Sequence, residues 1–255
     1  MIAAVRNEEI LRFIREQELC TIAELTHRFK VSKATVHRVL NDLDAAGQVR
    51  KVRGGVRFSE GAGLEKSFDA RLKQQTSEKN TIARSAFRYV QEGSTIFLGS
   101  GTTIACLARE LARNFKGPLT VVTDSPMVVL ELLHTPHIKV ICTGGELQYD
   151  LNTFAGPLAY DAMDRLQFGT AFISAAALSK ERGIMTAQAI LVRLLGKIIE
   201  RADEVNLLVD HTKFAKIAPL AIAPLSSVNR IVTDEEIDSE VRESILSAGV
   251  ELVIG

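Results

Sequence analysis

The sequence predicts an α/β protein in two parts: a small head of three helices closed by a β-hairpin, then a larger domain whose mainly parallel sheet is covered by helices on both faces. Three observations carry this. Apolar residues recur at helical spacing in three successive stretches between residues 7 and 43. Two short alternating runs follow, one on each side of Gly54 and Gly55. Beyond residue 78, amphipathic stretches alternate with short apolar runs, the signature of repeated βαβ units.

In the head, residues 7–17 place Ile10, Leu11 and Ile14 on one helical face, and 19–21 is a brief extended entry. Thr21, with Glu24 three residues on, has the pattern of a capping box that opens a second helix. Ile22, Leu25 and Phe29 mark its apolar side, and it ends near Lys30. Ser32 can cap a third helix with inner face Val36, Val39, Leu40 and Leu43, stopped by Gly47. Residues 49–58 read as a hairpin about the glycine pair. The head is thus 1–58, a winged helix-turn-helix. Over 59–78 periodicity fades into Gly, Glu, Lys and Gln, as in an interdomain linker, with a helical piece about 68–72.

The second domain, 79–255, reads as helices 79–91, 103–113, 126–134, 157–165, 188–201 and 234–248. Between them lie strands 94–98, 119–122, 139–142, 170–174, 204–209, 228–232 and 250–254, with a further apolar run at 220–223. This alternation is Rossmann-like.

With 46% hydrophobic and 24% charged residues, the chain can bury a substantial core, which excludes disorder as its main theme. No apolar run approaches the roughly 18 to 20 residues of a membrane span, and the N-terminus meets Arg6, Glu8 and Glu9 early. The expected location is the cytoplasm, with no membrane partner. Cys20, Cys106 and Cys142 are far apart and without His or Cys at metal-ligand spacing, so they read as buried thiols. No metal and no cofactor is expected.

The net charge of zero hides an asymmetry: residues 1–57 hold 11 Lys/Arg against 7 Asp/Glu, and between Arg28 and Arg57 eight basic residues face only Asp42 and Asp44. A basic helix-turn-helix suits double-stranded DNA, since its second helix can enter the major groove while the first braces on the backbone. On that helix Ser32, Lys33, Thr35, His37 and Arg38 are the candidates for base edges or phosphates, Arg38 foremost. In the wing, Arg50, Lys51, Arg53 and Arg57 alternate with apolar residues and can neutralise phosphates. The alternative, an interaction module with a solvated charged face, does not account for the basic hairpin. Taken singly, His27 and His37 are ordinary solvent-facing helix residues.

In the larger domain Gly99, Ser100, Gly101, Thr102 and Thr103 run from a strand into a helix, where small residues admit a ligand to backbone N–H groups at a helix N-terminus. Thr123 and Asp124 end the next strand, and Gly144 and Gly145 follow the one after. Taken singly each loop is also an ordinary tight connection, but three at successive strand ends could converge on one crevice, the expected receptor for a small phosphorylated metabolite.

The segment from Val31 to Leu40, with Arg53-Gly54-Gly55, resembles the DeoR family of bacterial regulators, as do Ser100-Gly101-Thr102-Thr103, Val121-Val122-Thr123, Gly144-Gly145-Glu146-Leu147, Gly156-Pro157 and Asp210-His211-Thr212-Lys213-Phe214. The resemblance covers nearly the whole chain. It implies a sensor domain similar to ribose phosphate isomerase that binds a phosphorylated sugar, with Ser100 to Thr103 and Lys213 on the phosphate side. Departures stand beside it. His37-Arg38-Val39-Leu40 replaces the family's Arg-Arg-Asp-Leu, so the operator does not transfer from relatives. Gly99, Gly169, Gln188, Leu191 and Leu195 stand where the family carries charged groups, with Gln188 still able to reach an effector. An altered pocket, another anion or no effector at all remain open, and Leu191 and Leu195 also make an ordinary apolar stripe.

The resulting expectation is a DNA-binding regulator, a repressor controlled by a phosphorylated sugar or related anion, acting as a homodimer or larger homo-oligomer. Against it stands a sugar-phosphate isomerase or deaminase with a DNA-binding appendage, for which Asp124, Glu146 and Asp210 are the remaining acids. An effector-independent DNA-binding regulator is the third possibility. No catalytic residue is expected.

Overall fold

A computed structural model describes residues 3–17, 19–45, 49–52, 54–58 and 67–255, and the chain divides into two compact units, Met1–Arg71 and Leu72–Gly255. The first unit contains α1 (Ala3–Gln17), β1 (Leu19–Thr21), α2 (Ile22–Phe29), α3 (Lys33–Ala45), β2 (Val49–Val52) and β3 (Gly55–Phe58). The capping box forms: Glu24 N–H donates to Thr21 Oγ1 at 3.2 Å, and Thr21 N–H donates to Glu24 Oε2 at 2.7 Å. Ile10, Ile14, Leu25, Val36 and Leu40 are buried in one cluster, as the helical periodicity requires. Phe13 meets Phe29 edge to face at 5.7 Å.

The strands form a three-stranded antiparallel sheet ordered β1-β3-β2. The hairpin differs in one detail from the sequence expectation. Val52 pairs with Gly55, so Gly55 already belongs to β3 and is not part of the turn. A Cβ at Gly55 would lie 2.3 Å from the Cys20 carbonyl oxygen, so glycine here is what lets β1 lie on β3. Gly47 and Arg53 lie outside the described residues, as does 59–66 of the expected linker. Within that linker α4 (Phe68–Leu72) forms, and α5 (Thr76–Phe87) starts earlier than the expected residue 79.

The second unit continues with β4 (Thr95–Leu98), α6 (Thr102–Asn114), β5 (Leu119–Thr123), α7 (Pro126–Leu132), β6 (Ile138–Cys142), β7 (Glu146–Gln148), β8 (Thr153–Ala155), α8 (Pro157–Asp164) and β9 (Phe168–Ile173). There follow β10 (Ala177–Ser179), β11 (Gly183–Thr186), α9 (Ala189–Arg201), β12 (Ala202–Leu208), β13 (Leu220–Ala223), β14 (Arg230–Thr233), α10 (Ser239–Ser247) and β15 (Glu251–Ile254). Seven strands form one parallel sheet ordered β15-β14-β12-β9-β4-β5-β6. Successive residues face opposite sides of it. Ile96, Leu98, Val121 and Phe172 pack with residues of α5, α6 and α7 in one core, and Phe97, Val122, Ala171 and Ile173 pack with residues of α8, α9 and α10 in the other.

Two small sheets were not expected: the hairpin β7-β8, and an antiparallel group β10-β11-β13 that takes the 220–223 run. The last helix starts at Ser239, five residues later than expected, because Asp238 caps it by accepting from Glu240 N–H at 2.8 Å. Cys20 and Cys106 are buried, but Cys142 is exposed, since β6 is the sheet edge. Among the described residues no helix is long and apolar enough to cross a membrane.

Candidate functional site

The reading helix of the head is α3. Its first turn is closed by its own side chains: Ser32 Oγ accepts from Thr35 N–H at 3.1 Å and lies 2.9 Å from Thr35 Oγ1. Those hydroxyls hold the helix start, which orients the exposed Lys33, His37 and Arg38 beyond it. Asn41 shares that exposed face, three and four residues after Arg38 and His37, and its side-chain oxygen accepts from the Lys51 ammonium. Asn41 therefore ties the wing to the reading helix. Sequence reasoning missed it, although its spacing from His37 was visible.

The wing sorts its cations by strand alternation. Lys51 pairs across with Val56 and, itself exposed, reaches Asn41 on α3 with its ammonium. Arg50 stands directly opposite Arg57, and Arg57 opposite the exposed Leu19, so two guanidinium side chains share the outer face. Like charges set opposite one another suit a face that meets a polyanion. Arg53 lies outside the described residues.

In the second unit, β4 lies between β5 and β9, and the chain leaves it towards β5 and β6 on one side before returning at β9 on the other. That reversal is a topological switch point, where the carboxyl ends of the strands open a crevice. Gly99 N–H is used within the sheet, donating to Phe172 O at 3.0 Å. Gly101 is the N-cap of α6 and supplies no side-chain cap. A Cβ there would stand 2.6 Å from Ser174 Cβ, so Gly101 is pressed against the loop that follows β9. Ser174 carries no sequence signal, and only this contact reveals it. Helical geometry leaves the first N–H groups of α6 without partners inside the helix, beside the buried Thr102 and Thr103 and the half-buried Ser100.

The neighbouring loop is built differently. Thr123 Oγ1 donates to Leu98 O at 2.6 Å and accepts from Ser125 N–H at 3.0 Å, so this hydroxyl clamps β4 to β5. The start of α7 is closed by Ser125 Oγ, which accepts from Val128 N–H, and by Asn152 Oδ1, which accepts from Met127 N–H. Asp124 is buried; its Oδ2 accepts from Thr153 Oγ1 at 2.8 Å, while Oδ1 has no partner among the described residues. Burial raises its carboxyl from 3.8 to about 7, against the opposing pull of the Thr153 bond. In the third loop, Gly145 has φ +112 and packs against the Ala155 carbonyl, beside Gly144.

Gln188 is the N-cap of α9, and its N–H donates to Thr186 Oγ1 at 3.1 Å. Lys213 ends a short 3-10 turn after β12, whose N-cap Asp210 accepts from Thr212 N–H at 3.1 Å, so that acid serves as a cap. His211 in the same turn is held by Asp234, through Nδ1 at 2.7 Å and its backbone N–H at 2.8 Å. Its Nε2 lies 3.3 Å from Glu236 and 3.4 Å from Gln75, the residue before α5. Glu146 is exposed on β7. Leu195 is buried and Leu191 packs against the same core, so both are structural. Gly169 needs a correction: it lies at the opening end of β9, opposite the crevice, and a carboxylate there would not face it.

A helix-turn-helix head followed by a sheet with a switch-point crevice defines a transcriptional regulator with a separate sensor domain. The family model described as DeoR-like helix-turn-helix domain matches residues 6–61, and that described as DeoR C terminal sensor domain matches 74–235. The chain belongs to the DeoR family. It is 29% identical to the HTH-type transcriptional regulator GlpR of Haloferax volcanii, covering 100% of this chain and 99% of that protein. It is 31% identical to the HTH-type transcriptional regulator IolR of Bacillus subtilis, covering 92% and 93%. It is 30% identical to the lactose phosphotransferase system repressor of Staphylococcus aureus, covering 94% and 95%. Among solved structures it is similar to ribose 5-phosphate isomerase A from Methanocaldococcus jannaschii, with 18% identity over 55% of each chain and a TM-score of 0.41. With regulators and repressors as its relatives, the protein is a regulator and not an enzyme.

Proposed function

We propose that the protein is a repressor whose hold on double-stranded operator DNA is controlled by a small phosphorylated metabolite, most simply a sugar phosphate. The observation that carries this is the start of α6: no side-chain cap, a glycine in close contact with Ser174, and a position at the switch point of the sheet. An anion is stabilised there by the helix dipole and by N–H groups that the helix itself leaves unused. Ser100, Gly101, Thr102 and Thr103 take the phosphate, with Lys213 supplying positive charge on the same side; Asp124, Gln188 and the Gly144-Gly145 backbone surround the rest of the ligand. Gly99 contributes shape, its N–H being bonded within the sheet, and Thr123 contributes by fixing the two strand ends. On the DNA side Lys33, His37, Arg38, Arg50, Arg53 and Arg57 make the contacts, Ser32 and Thr35 set the helix start, and Lys51 and Asn41 couple wing to helix.

The chain acts as a homodimer or larger homo-oligomer, because one winged helix reads only a short half-site. The test is fluorescence anisotropy with a duplex from its own promoter region, titrated with a panel of sugar phosphates. The expected result is tight binding at low ionic strength that one of them abolishes or strengthens. Binding that ignores the whole panel supports an effector-independent regulator, and failure to bind the duplex removes the proposal.

A further inference from the structure

We infer that a second copy of this chain docks on the larger unit by a reciprocal exchange: Ile217 of each copy enters an apolar cavity of the other, and Lys216 meets the acids on that cavity's rim. This rests on the reading of the chain as a homo-oligomer and names the surface involved. The cavity, of about 190 Å³, is walled by Leu178 of β10, by Phe214 and Leu225, and by Val241 and Ile245 of α10. Metabolite pockets run to roughly 300–1,000 Å³, so this smaller one suits a single side chain better. Its apolar walls favour an apolar occupant. Ile217 lies three residues along the chain from Phe214. Ala218 beside it is buried against Ala177 and Met185 of β10 and β11 and so pins the loop, while Ile217 is 73% exposed. Ile217 does not line its own cavity, and a two-fold axis between the two lets each copy fill the other. Leu246, next to the wall residue Ile245, is exposed and extends the apolar surface.

Charge points to the same partner. Lys180, Glu181 and Glu240 stand exposed on the rim, two acids against one base, and Lys216 is exposed beside the apolar plug. None of Lys216, Glu181 and Glu240 forms an ion pair among the described residues. The rim is held in place. Ser179 Oγ accepts from Arg182 N–H at 3.0 Å and closes the turn that carries Glu181, while Glu240 sits in the first turn of α10. A plug made of one cation and one aliphatic side chain therefore complements a receptor on its own chain, in charge as well as in polarity. Phe214 directly follows Lys213, so the interface is built on the segment that reaches the proposed effector.

The experiment is sedimentation equilibrium of the full chain at several micromolar concentrations, without DNA, for the wild type and four variants. Ile217→Asp and Lys216→Glu change exposed side chains and spare the core; each should raise the dissociation constant of the assembly tenfold or more. Glu240→Lys alone should also weaken it. Glu240→Lys combined with Lys216→Glu restores opposite charges across the interface and should recover affinity to within threefold of the wild type, a rescue that mere damage to the fold does not give. An assembly unchanged by Ile217→Asp and Lys216→Glu overturns this surface and leaves the homo-oligomer standing on another one. Weakening by Lys216→Glu that Glu240→Lys does not relieve overturns the pairing of plug and rim. A wild type that stays monomeric overturns the homo-oligomer and the inference with it, and leaves the cavity to a small ligand or a different protein.

Discussion

Arg38 is the side chain on which sequence discrimination is expected to rest, exposed on α3 behind a helix start fixed by Ser32 and Thr35. Replacing Arg38 with Ala should cost about 1–3 kcal/mol on the operator and far less on random duplex. Arg57→Ala should weaken both alike and reduce the salt dependence by about one unit of slope. Anisotropy titrations on the two duplexes at several salt concentrations separate these outcomes. Asp124 gives a pH prediction. Its folded carboxyl titrates about 7 and the unfolded one near 3.8, so between these values the folded chain holds a proton that the unfolded chain has lost. The stability tied to that proton is complete below pH 4 and is lost as pH rises through 7. Melting temperatures of the ligand-free protein should therefore fall from pH 5 to 8 relative to Asp124→Asn, whose curve lacks this contribution. A residue such as Ser174 was not legible beforehand because its role is a contact between distant loops. Asn41 was legible in principle, since it repeats the spacing of the exposed α3 positions.

Among elements, the head was readable because each helix buries one face, and a single buried stripe imposes the 3.6-residue period on the sequence. The parallel strands were readable for the opposite reason, being apolar on both sides. The small sheets escaped because β7, β8 and β10 span three residues each, too few for alternation to stand out from a loop. The site inherits the same division: the glycine loop at α6 was visible as a motif, whereas the closing of α7 by Asn152 depends on the hairpin that was missed. Two predictions belong at this scale. Gly101→Val drives a branched side chain into Ser174, and should abolish the melting-temperature rise that a bound sugar phosphate gives, a rise worth about 2.7 kcal/mol at a hundred times the dissociation constant. The turn after β12 is held to Gln75, just before α5, through His211. His211→Ala should leave ligand affinity within threefold while reducing the ligand's effect on operator binding, measured by calorimetry and anisotropy on the same preparation.

For the whole molecule, neutrality conceals a division of labour, with positive charge gathered in the head and negative charge in excess beyond it. Sedimentation of the full chain should show a dimer or larger assembly, and footprinting should show paired half-sites about one helical turn, or a multiple of it, apart. The order of strands has one more consequence. β4 is synthesised first in its sheet, but its neighbour β9 comes some seventy residues later, and Ser174 with it. At roughly 5–20 residues per second, a ribosome finishes the reading head about 5–20 seconds before Ser174 emerges and the receptor can close. Nascent chains stalled short of β9 should therefore carry a folded head, detectable by its resistance to proteolysis, with no receptor that a metabolite can address.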